Sequence, residues 1–183
     1  MKLTDLLIPT YRNNLNMLLG LLDKAEDQLG GNKTEALLSA RLAPDMWGLA
    51  TQLRLAALQA QDAPMRLLGH PMPGPLDDLL TEARNGGEQP GTLAQARARI
   101  ADALAFLDTI GPHALDTAEP GEPKVLDLPM GLTFDLTREQ FARDWALGQF
   151  YFHVMTAYAI LRNQGIEIGK ADYVPHMFGY LRT

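Results

Sequence analysis

WALGQFYFHVMTAYAIL, residues 145–161, is apolar on nearly every face that a helix would present. A helix with this pattern is packed on several sides instead of lying on a surface. Upstream, Thr137 and Gln140 have the spacing of a capping box, in which each side chain satisfies the other's backbone N–H. We therefore expect a central helix that begins at Thr137 and ends at about Asn163.

Earlier in the chain, apolar residues at steps of three and four predict a helix over residues 3–29. Gly30 and Gly31 end it, since glycine accepts the left-handed conformation that closes many helices. Residues 34–39 are expected to form a short extra turn.

A second long helix is expected to begin near Pro44 and Asp45, because proline fits a first turn and aspartate can cap it. Pro64 should kink this helix or end its regular part. The segment HPMPGP, residues 70–75, is predicted to be a loop. The predicted buried stripe of the helix consists of Leu49, Leu53, Ala56 and Ala60.

A weak helical patch at residues 76–83 precedes a third long helix, which Thr92 can cap and which Pro112 follows. The segment VLDLPMGLTFDL, residues 125–136, alternates apolar and polar residues around Pro129 and Gly131, as expected of a small hairpin. The sequence therefore predicts an all-α fold of four long helices with one β-hairpin before the last helix.

The length, net charge and composition of the chain exclude several classes of function. The chain of 183 residues, formal net charge −6 and pI near 5.1, is the size of a single domain spanning residues 1–183. It has no cysteine, which excludes disulfides, thiolate zinc sites and a cysteine nucleophile. Its negative charge disfavours nucleic acid, and no apolar stretch is long enough to cross a membrane. We expect a cytoplasmic protein, because the first residues lack the pattern of a secretory signal.

Two segments carry a family resemblance: ARLAPDMWGLATQ, residues 40–52, and FYFHVMTAYAILRNQGIEIGKADY, residues 150–173. They resemble an uncharacterised bacterial and fungal family, catalogued only as a domain of unknown function. That family is similar to the DinB/YfiT-like superfamily of candidate metalloenzymes. The resemblance implies a four-helix bundle with up-down-down-up helix directions and one long crossover.

The resemblance also implies a metal site that this chain holds only in part. DinB-like proteins that bind metal generally use one histidine from the second helix and a His-x-x-x-His pair from the last. His153 matches the first member of that pair, whereas its partner position is Ala157, which has no ligand atom. Residues 50–58, ATQLRLAAL, which would supply the third histidine, contain none.

His153 is nevertheless the first candidate functional residue, because an imidazole on an apolar helix needs a polar partner. The simplest interpretation is a core histidine bonded to a tyrosine, a glutamine or a backbone carbonyl. A position in a small-molecule pocket is the second interpretation. Metal ligation is the weakest, since a lasting zinc site needs three or four protein ligands.

Other polar side chains could complete a pocket around His153. Asp45 either caps the second helix or points into the bundle, and Gln52 is a buried amide or a surface residue. Polar-tipped aromatic residues line cavities between helices as readily as they fill cores, and those in question are Tyr11, Trp47, Tyr151 and Tyr158. Arg162 could hold an anion, or it could complement the carbonyls that end the last helix.

The tail after Gly165 is rich in large apolar residues, and surface of that kind needs a cover. It either folds back on its own bundle or docks on a second copy, and we hypothesise a homodimer. The residues concerned are Tyr173, Met177, Phe178, Tyr180 and Leu181.

Two functional hypotheses follow from the sequence. The first is a non-enzymatic module with an incomplete metal site, which binds a small ligand around His153 or serves for dimerisation. The alternative is a metal-dependent transferase or hydrolase of the DinB-like superfamily, with a rewired site in which Asp45 or Gln52 assists His153. The sequence names no cofactor. It favours the first hypothesis, because activating a metal-bound water is difficult without a second imidazole at residue 157.

Overall fold

Helix α3, Leu49–Leu67, is the most deeply buried helix of the structure, a computed structural model. The structure describes residues 2–70, 74–128 and 131–182. Every residue of α3 from Leu49 to Leu58 is buried, because neighbouring helices cover it on several sides. These neighbours are α1 (Leu3–Leu29), α4 (Gly74–Asn85), α5 (Leu93–Asp108) and α7 (Leu147–Asn163).

The expectation that the last helix is the central element is therefore wrong. Helix α7 is buried along one side, but Tyr151, Phe152 and Met155 on its other side are 40%, 56% and 47% exposed. An apolar sequence alone cannot distinguish a helix covered on all sides from one that leaves apolar residues on the surface.

Contacts between side chains fix the helix directions. Gln52 near the start of α3 meets His153, whereas Leu67 at its end accepts a hydrogen bond from Arg138, so α3 and the last helix run in opposite directions. Arg12 pairs with Asp108 and Arg97 with Asp23, so α1 and α5 also run in opposite directions.

The second long helix begins later than the sequence predicts. Its N-cap is Gly48, and the Leu49 N–H donates to the Ala40 carbonyl at 2.9 Å. A Cβ at residue 48 would lie 3.2 Å from the Leu38 carbonyl oxygen, a tight contact that glycine avoids. The prediction that Asp45 caps the helix is therefore wrong, because a tertiary contact sets the helix start.

The short segments between the long helices also differ from the prediction. Helix α2, Gly31–Ala36, followed by a 3₁₀ turn at Leu37–Ser39, begins three residues before the predicted turn. Helix α3 continues through Pro64 to Leu67, so Pro64 does not end the helix, and a kink at this residue stays a prediction. Helix α4 begins at Gly74 inside the predicted loop, of which residues 71–73 lie outside the described part.

Both predicted capping boxes are present, with Thr92 and Gln95 at α5 and with Thr137 and Gln140 at the last helix. The last helix begins with α6, Arg138–Gln140. It continues as a π-helical segment, Phe141–Ala146, and then as α7.

The predicted hairpin is confirmed. Strands β1 (Pro123–Leu128) and β2 (Leu132–Thr137) pair antiparallel, with Val125 opposite Asp135. Pro129 and Met130, at the predicted turn, lie outside the described residues. The chain is thus mostly helical with one hairpin before its last long helix. With α8 (Lys170–Tyr173), its described residues form eight α-helical segments instead of four.

Across residues 2–70, 74–128 and 131–182, we find no helix whose length and apolar character would suffice to span a membrane.

Candidate functional site

A surface cavity of about 260 Å³ lies where the loop before α3 meets α7. The turn at Gly48 brings the loop residues over the start of α3, and Phe152 approaches from α7. Its lining consists of Asp45, Met46, Trp47, Gln52 and Phe152. Three residues that the sequence nominated, Asp45, Trp47 and Gln52, therefore line one cavity.

Gln52 connects this cavity to His153. The Gln52 Nε2 donates to the Trp47 carbonyl at 3.2 Å, and its Oε1 lies 2.9 Å from the His153 Nδ1. Because the amide oxygen can only accept, the proton of the imidazole lies on Nδ1. One buried glutamine thus holds both the backbone of the loop and the ring of the histidine.

His153 is uncharged at neutral pH. It is only 5% exposed, and burial lowers its pKa from 6.5 to about 4. Desolvation disfavours the charged form of a buried imidazole, and Gln52 offers no negative charge to oppose that effect. The pair is therefore a neutral hydrogen bond beneath the cavity.

The cavity itself combines aromatic surface with one charge. Trp47 is 48% exposed and Phe152 is 56% exposed, so both rings are accessible to a ligand. Asp45 is exposed and is the one charged residue among the described residues that line the cavity. The arrangement can receive an apolar group between the rings and a positive charge at the carboxylate.

The other nominated tyrosines lie elsewhere. Tyr11 is fully buried and packs edge-to-face on Phe150, with ring centroids 4.7 Å apart. Tyr158 is half-buried and packs on Tyr173 at 5.4 Å. Neither belongs to the lining of the cavity beside His153.

Arg162 bonds a backbone carbonyl beyond the helix, which is not the contact with the last helical carbonyls that the sequence suggested. Its Nη1 donates to the Ile166 carbonyl at 3.3 Å, just beyond the end of α7. This contact stabilises the turn of the chain that follows α7.

The donors beside His153 do not fit the metal that the DinB-like resemblance implies. Ala157, in the position of the second imidazole, is fully buried and carries no donor atom. Gln52 uses its amide on His153 and Trp47, and Asp45 is an exposed loop residue. Over the described ranges, no three His, Cys, Asp or Glu side chains converge as a metal site would require.

Sequence reasoning missed two lining residues, Met46 and Phe152. Met46 lies between Asp45 and Trp47, which were both nominated. Phe152 precedes His153 and was treated as core because its whole segment is apolar. Neighbours in a helix point in different directions, and this rule was the available signal that one of the two would face outward.

The tail folds back only in part. Ile166 and Ile168 are buried, and Lys24 of α1 forms an ion pair with Asp172 of α8. The terminal residues remain 53–78% exposed, and we call them the tail patch: Met177, Phe178, Tyr180 and Leu181.

Comparison with known proteins identifies a family and a similar crystal structure. The profile of a family described as a domain of unknown function, DUF1993, matches residues 3–174. A crystal structure of a DinB family member protein from Shewanella denitrificans is similar to this chain, with 32% sequence identity and a TM-score of 0.74. The alignment covers 94% of this chain and 91% of that one. No curated protein matches the chain.

Proposed function

This chain belongs to the DUF1993 family of domains of unknown function, and from that premise we propose that it is a non-enzymatic module that binds a small organic cation. The ligand would lie in the cavity between Trp47 and Phe152. We also propose that α1, α3, α5 and α7 form the up-down-down-up bundle of DinB-like proteins. Their directions, and the likeness to a DinB family member, support that assignment.

The observation that carries the proposal is the composition of the cavity. Two accessible aromatic rings stand beside one carboxylate, and aromatic faces attract cations at short range. His153 beneath them is uncharged near pH 7, so it does not repel a positive ligand. Gln52 holds the Trp47 backbone and so limits the loss of loop freedom on binding.

A pair of matched probes tests this proposal. Choline carries a trimethylammonium group, and 3,3-dimethyl-1-butanol has the same shape without the charge. Titration of ¹⁵N-labelled protein, followed by NMR, should show saturable shifts at residues 45–52 with choline. The neutral probe should bind about 5–30-fold more weakly, since a cation–π contact contributes about 1–2 kcal/mol.

Variants locate the site. Trp47→Leu and Asp45→Asn should each weaken choline binding, the second mainly at low salt. Trp145→Phe is the control, because Trp145 packs on Phe134 of the hairpin, away from the cavity. Equal affinity for both probes, or shifts outside the cavity, would contradict the proposal.

A second candidate function is homodimerisation through the tail patch. The observation that favours it is the exposure of four large apolar side chains within residues 177–181, which a monomer rarely leaves uncovered. Light scattering at micromolar concentration should give a dimer mass, and Tyr180→Asp with Leu181→Asp should give a monomer. Val125→Asp, at an exposed apolar residue of β1, is the control. A monomeric mass for the unmodified chain removes this candidate.

A metal-dependent transferase or hydrolase built around His153 is the remaining alternative, and the donor set does not favour it. Metal analysis of protein purified without a histidine tag tests it directly. Stoichiometric zinc, nickel or manganese that disappears in His153→Ala would replace our proposal with this alternative.

A further inference from the structure

Arg54 of α3 is a buried cation whose hydrogen bonds are incompletely used. Its side chain is 1% exposed, its Nε donates to Glu82 Oε1 at 2.6 Å and its Nη1 donates to the Ala50 carbonyl at 3.1 Å. A guanidinium has five N–H donors, and a buried one is costly unless they are satisfied. In the described part of the chain, no protein acceptor is found for Nη2.

The unused side of Arg54 faces a cavity of about 440 Å³ between α3, α4 and α5. Arg54, Glu82 and Arg99 line it together with Gln89, Gly91 and Gln95. This volume is within the usual range of small-molecule pockets. The cavity is separate from the one beside His153, because the two share no lining residue.

Gly91 keeps the cavity open next to the guanidinium. A Cβ at this residue would lie 2.8 Å from Arg54 Nη2 and 2.5 Å from Gln95 Oε1, closer than such atoms approach in proteins. The Gln95 Oε1 already accepts from the Thr92 N–H at 2.9 Å, which leaves its NH₂ group as a donor. Arg54 and Gln95 thus offer donors beside the space into which a Cβ at residue 91, where φ is +69°, would project.

The charges around the cavity indicate the ligand. Glu82 accepts from Arg54 through one oxygen and from Arg99 through the other, at 2.9 Å from the Arg99 Nε. Burial raises the pKa of Glu82, but these hydrogen bonds outweigh it and hold the pKa below 4.5, so the carboxylate is ionised. The lining holds two cations and one anion, and Asp102 just outside it lies 3.5 Å from the Arg99 Nη1, so these four charges balance.

We propose that this cavity binds a small organic monocarboxylate, which Arg54 and Arg99 hold through their guanidinium groups while the glutamine side chains bond the rest of the molecule. The donors left beside the cavity are the Arg54 Nη2 and the Gln95 NH₂ group, and the two oxygens of a carboxylate can accept from both. Because the charges around the cavity already balance, a dianion such as phosphate would add more unpaired negative charge than a monocarboxylate.

Propionate tests the proposal on the intact chain. Sodium propionate, inorganic phosphate and sodium chloride are titrated at equal ionic strength into ¹⁵N-labelled protein, and amide and guanidinium signals are followed by NMR. Propionate should give saturable shifts at Gly91, Gln95 and the Arg54 Nε–H. Chloride should give none that saturate. Tighter binding of phosphate than of propionate would overturn the assignment of the ligand.

Two variants with matched controls test the residues. Arg99→Gln should weaken propionate binding about tenfold or more, since a charged hydrogen bond is lost. Arg97→Gln on the same helix should not, because Arg97 pairs with Asp23 and Glu26 of α1. Gly91→Ala should abolish binding, whereas Gly30→Ala, with a similar φ of +77° and open space at its Cβ, should not.

If Gly91→Ala fails to fold, the Arg99→Gln variant tests the proposal. This variant should fold, because Arg99 is 43% exposed and its loss leaves Arg54 paired with Glu82. Unchanged propionate affinity in folded Arg99→Gln would overturn the proposal. So would equal loss of affinity in Arg97→Gln, since that would indicate a general effect of charge.

Discussion

Two buried polar residues of α3, Gln52 and Arg54, show two ways to keep a polar group inside a helical protein. They lie two positions apart, about 200° around the helix, and therefore face different neighbours. Gln52 faces α7 and bonds the neutral His153, and both side chains are 5% exposed or less. Arg54 faces α4 and α5 and bonds the charged Glu82, which is 28% exposed.

The comparison indicates that the charged pair keeps access to water, whereas the neutral pair does not. The neutral pair is enclosed, because its desolvation cost is offset by the bond from His153 to Gln52 and by the bond from Gln52 to the Trp47 carbonyl. The charged pair continues outward to Arg99, which is 43% exposed, so part of its charge remains hydrated. A fully enclosed ion pair would carry the desolvation penalty of both ions.

Among the predicted changes, removal of Glu82 should lower the stability most. Glu82→Ala leaves Arg54 buried without its anion, and we expect the free energy of unfolding to fall by about 4 kcal/mol. Urea unfolding followed by circular dichroism measures it. The double variant Arg54→Met with Glu82→Leu should lose clearly less, because apolar residues of similar size replace the whole pair. A small loss in Glu82→Ala would mean that water from the cavity replaces the Glu82 carboxylate as the partner of Arg54.

Burial of the neutral Gln52–His153 pair should make the stability of the protein depend on pH. His153 has a folded pKa of about 4 against 6.5 in the unfolded chain, so the unfolded state binds more protons between these values. Its contribution is complete above pH 6.5 and decreases as the pH falls toward 4, by no more than about 3 kcal/mol. Unfolding free energies measured at intervals between pH 7 and 4.5 should show the decrease.

His153→Asn separates this effect from the carboxylates. Its amide can still donate to Gln52, but it does not titrate, so its stability should change less between pH 6.5 and 4.5 than that of the unmodified chain. Glu82 acts in a different window: its folded pKa lies below 4.5, so its contribution is lost only as the pH falls below that value. Parallel curves for the two chains would show that His153 is hydrated.

The sequence predicted the neutral pair better than the charged one. A histidine on an apolar helix requires a polar partner, and a glutamine was among the partners expected for His153. Arg54 was not considered, because charged residues in helices usually lie at the surface. The segment LATQLRLAALQA, residues 49–60, is apolar on both sides of Arg54, and that pattern was the signal of a helix buried on every side.

Local rules predicted helix ends correctly where local chemistry decides them. Thr92 and Thr137 cap their helices through side chains three residues away, and both were predicted. The start of α3 was not predicted, because the bond from the Leu49 N–H to Ala40 depends on how the preceding loop packs. The cavity beside His153 depends on the same loop, so sequence could nominate Asp45, Trp47 and Gln52 without showing that they meet.

Among the predicted changes, removal of the Tyr11 hydroxyl should change the stability least. This hydroxyl is a buried polar group with no partner in the part of the chain that the structure describes. It is fully buried, as is Oδ1 of Asp62 on α3, and neither has a protein hydrogen bond. Burial, and then the charge of Asp62, raise the pKa of Tyr11, so the hydroxyl is neutral. Tyr11→Phe should raise the free energy of unfolding by about 1 kcal/mol, since an unsatisfied hydroxyl is removed.

Urea unfolding of Tyr11→Phe, beside Tyr158→Phe as the control, measures this effect. Tyr158 is half-buried, so loss of its hydroxyl should leave the stability within about 0.5 kcal/mol. A decrease of about 1 kcal/mol in Tyr11→Phe would contradict the prediction and indicate a buried water between Tyr11 and Asp62. Tyr11 of α1 would then be linked to Asp62 of α3 through water, in place of the direct partners that Gln52 and Arg54 have.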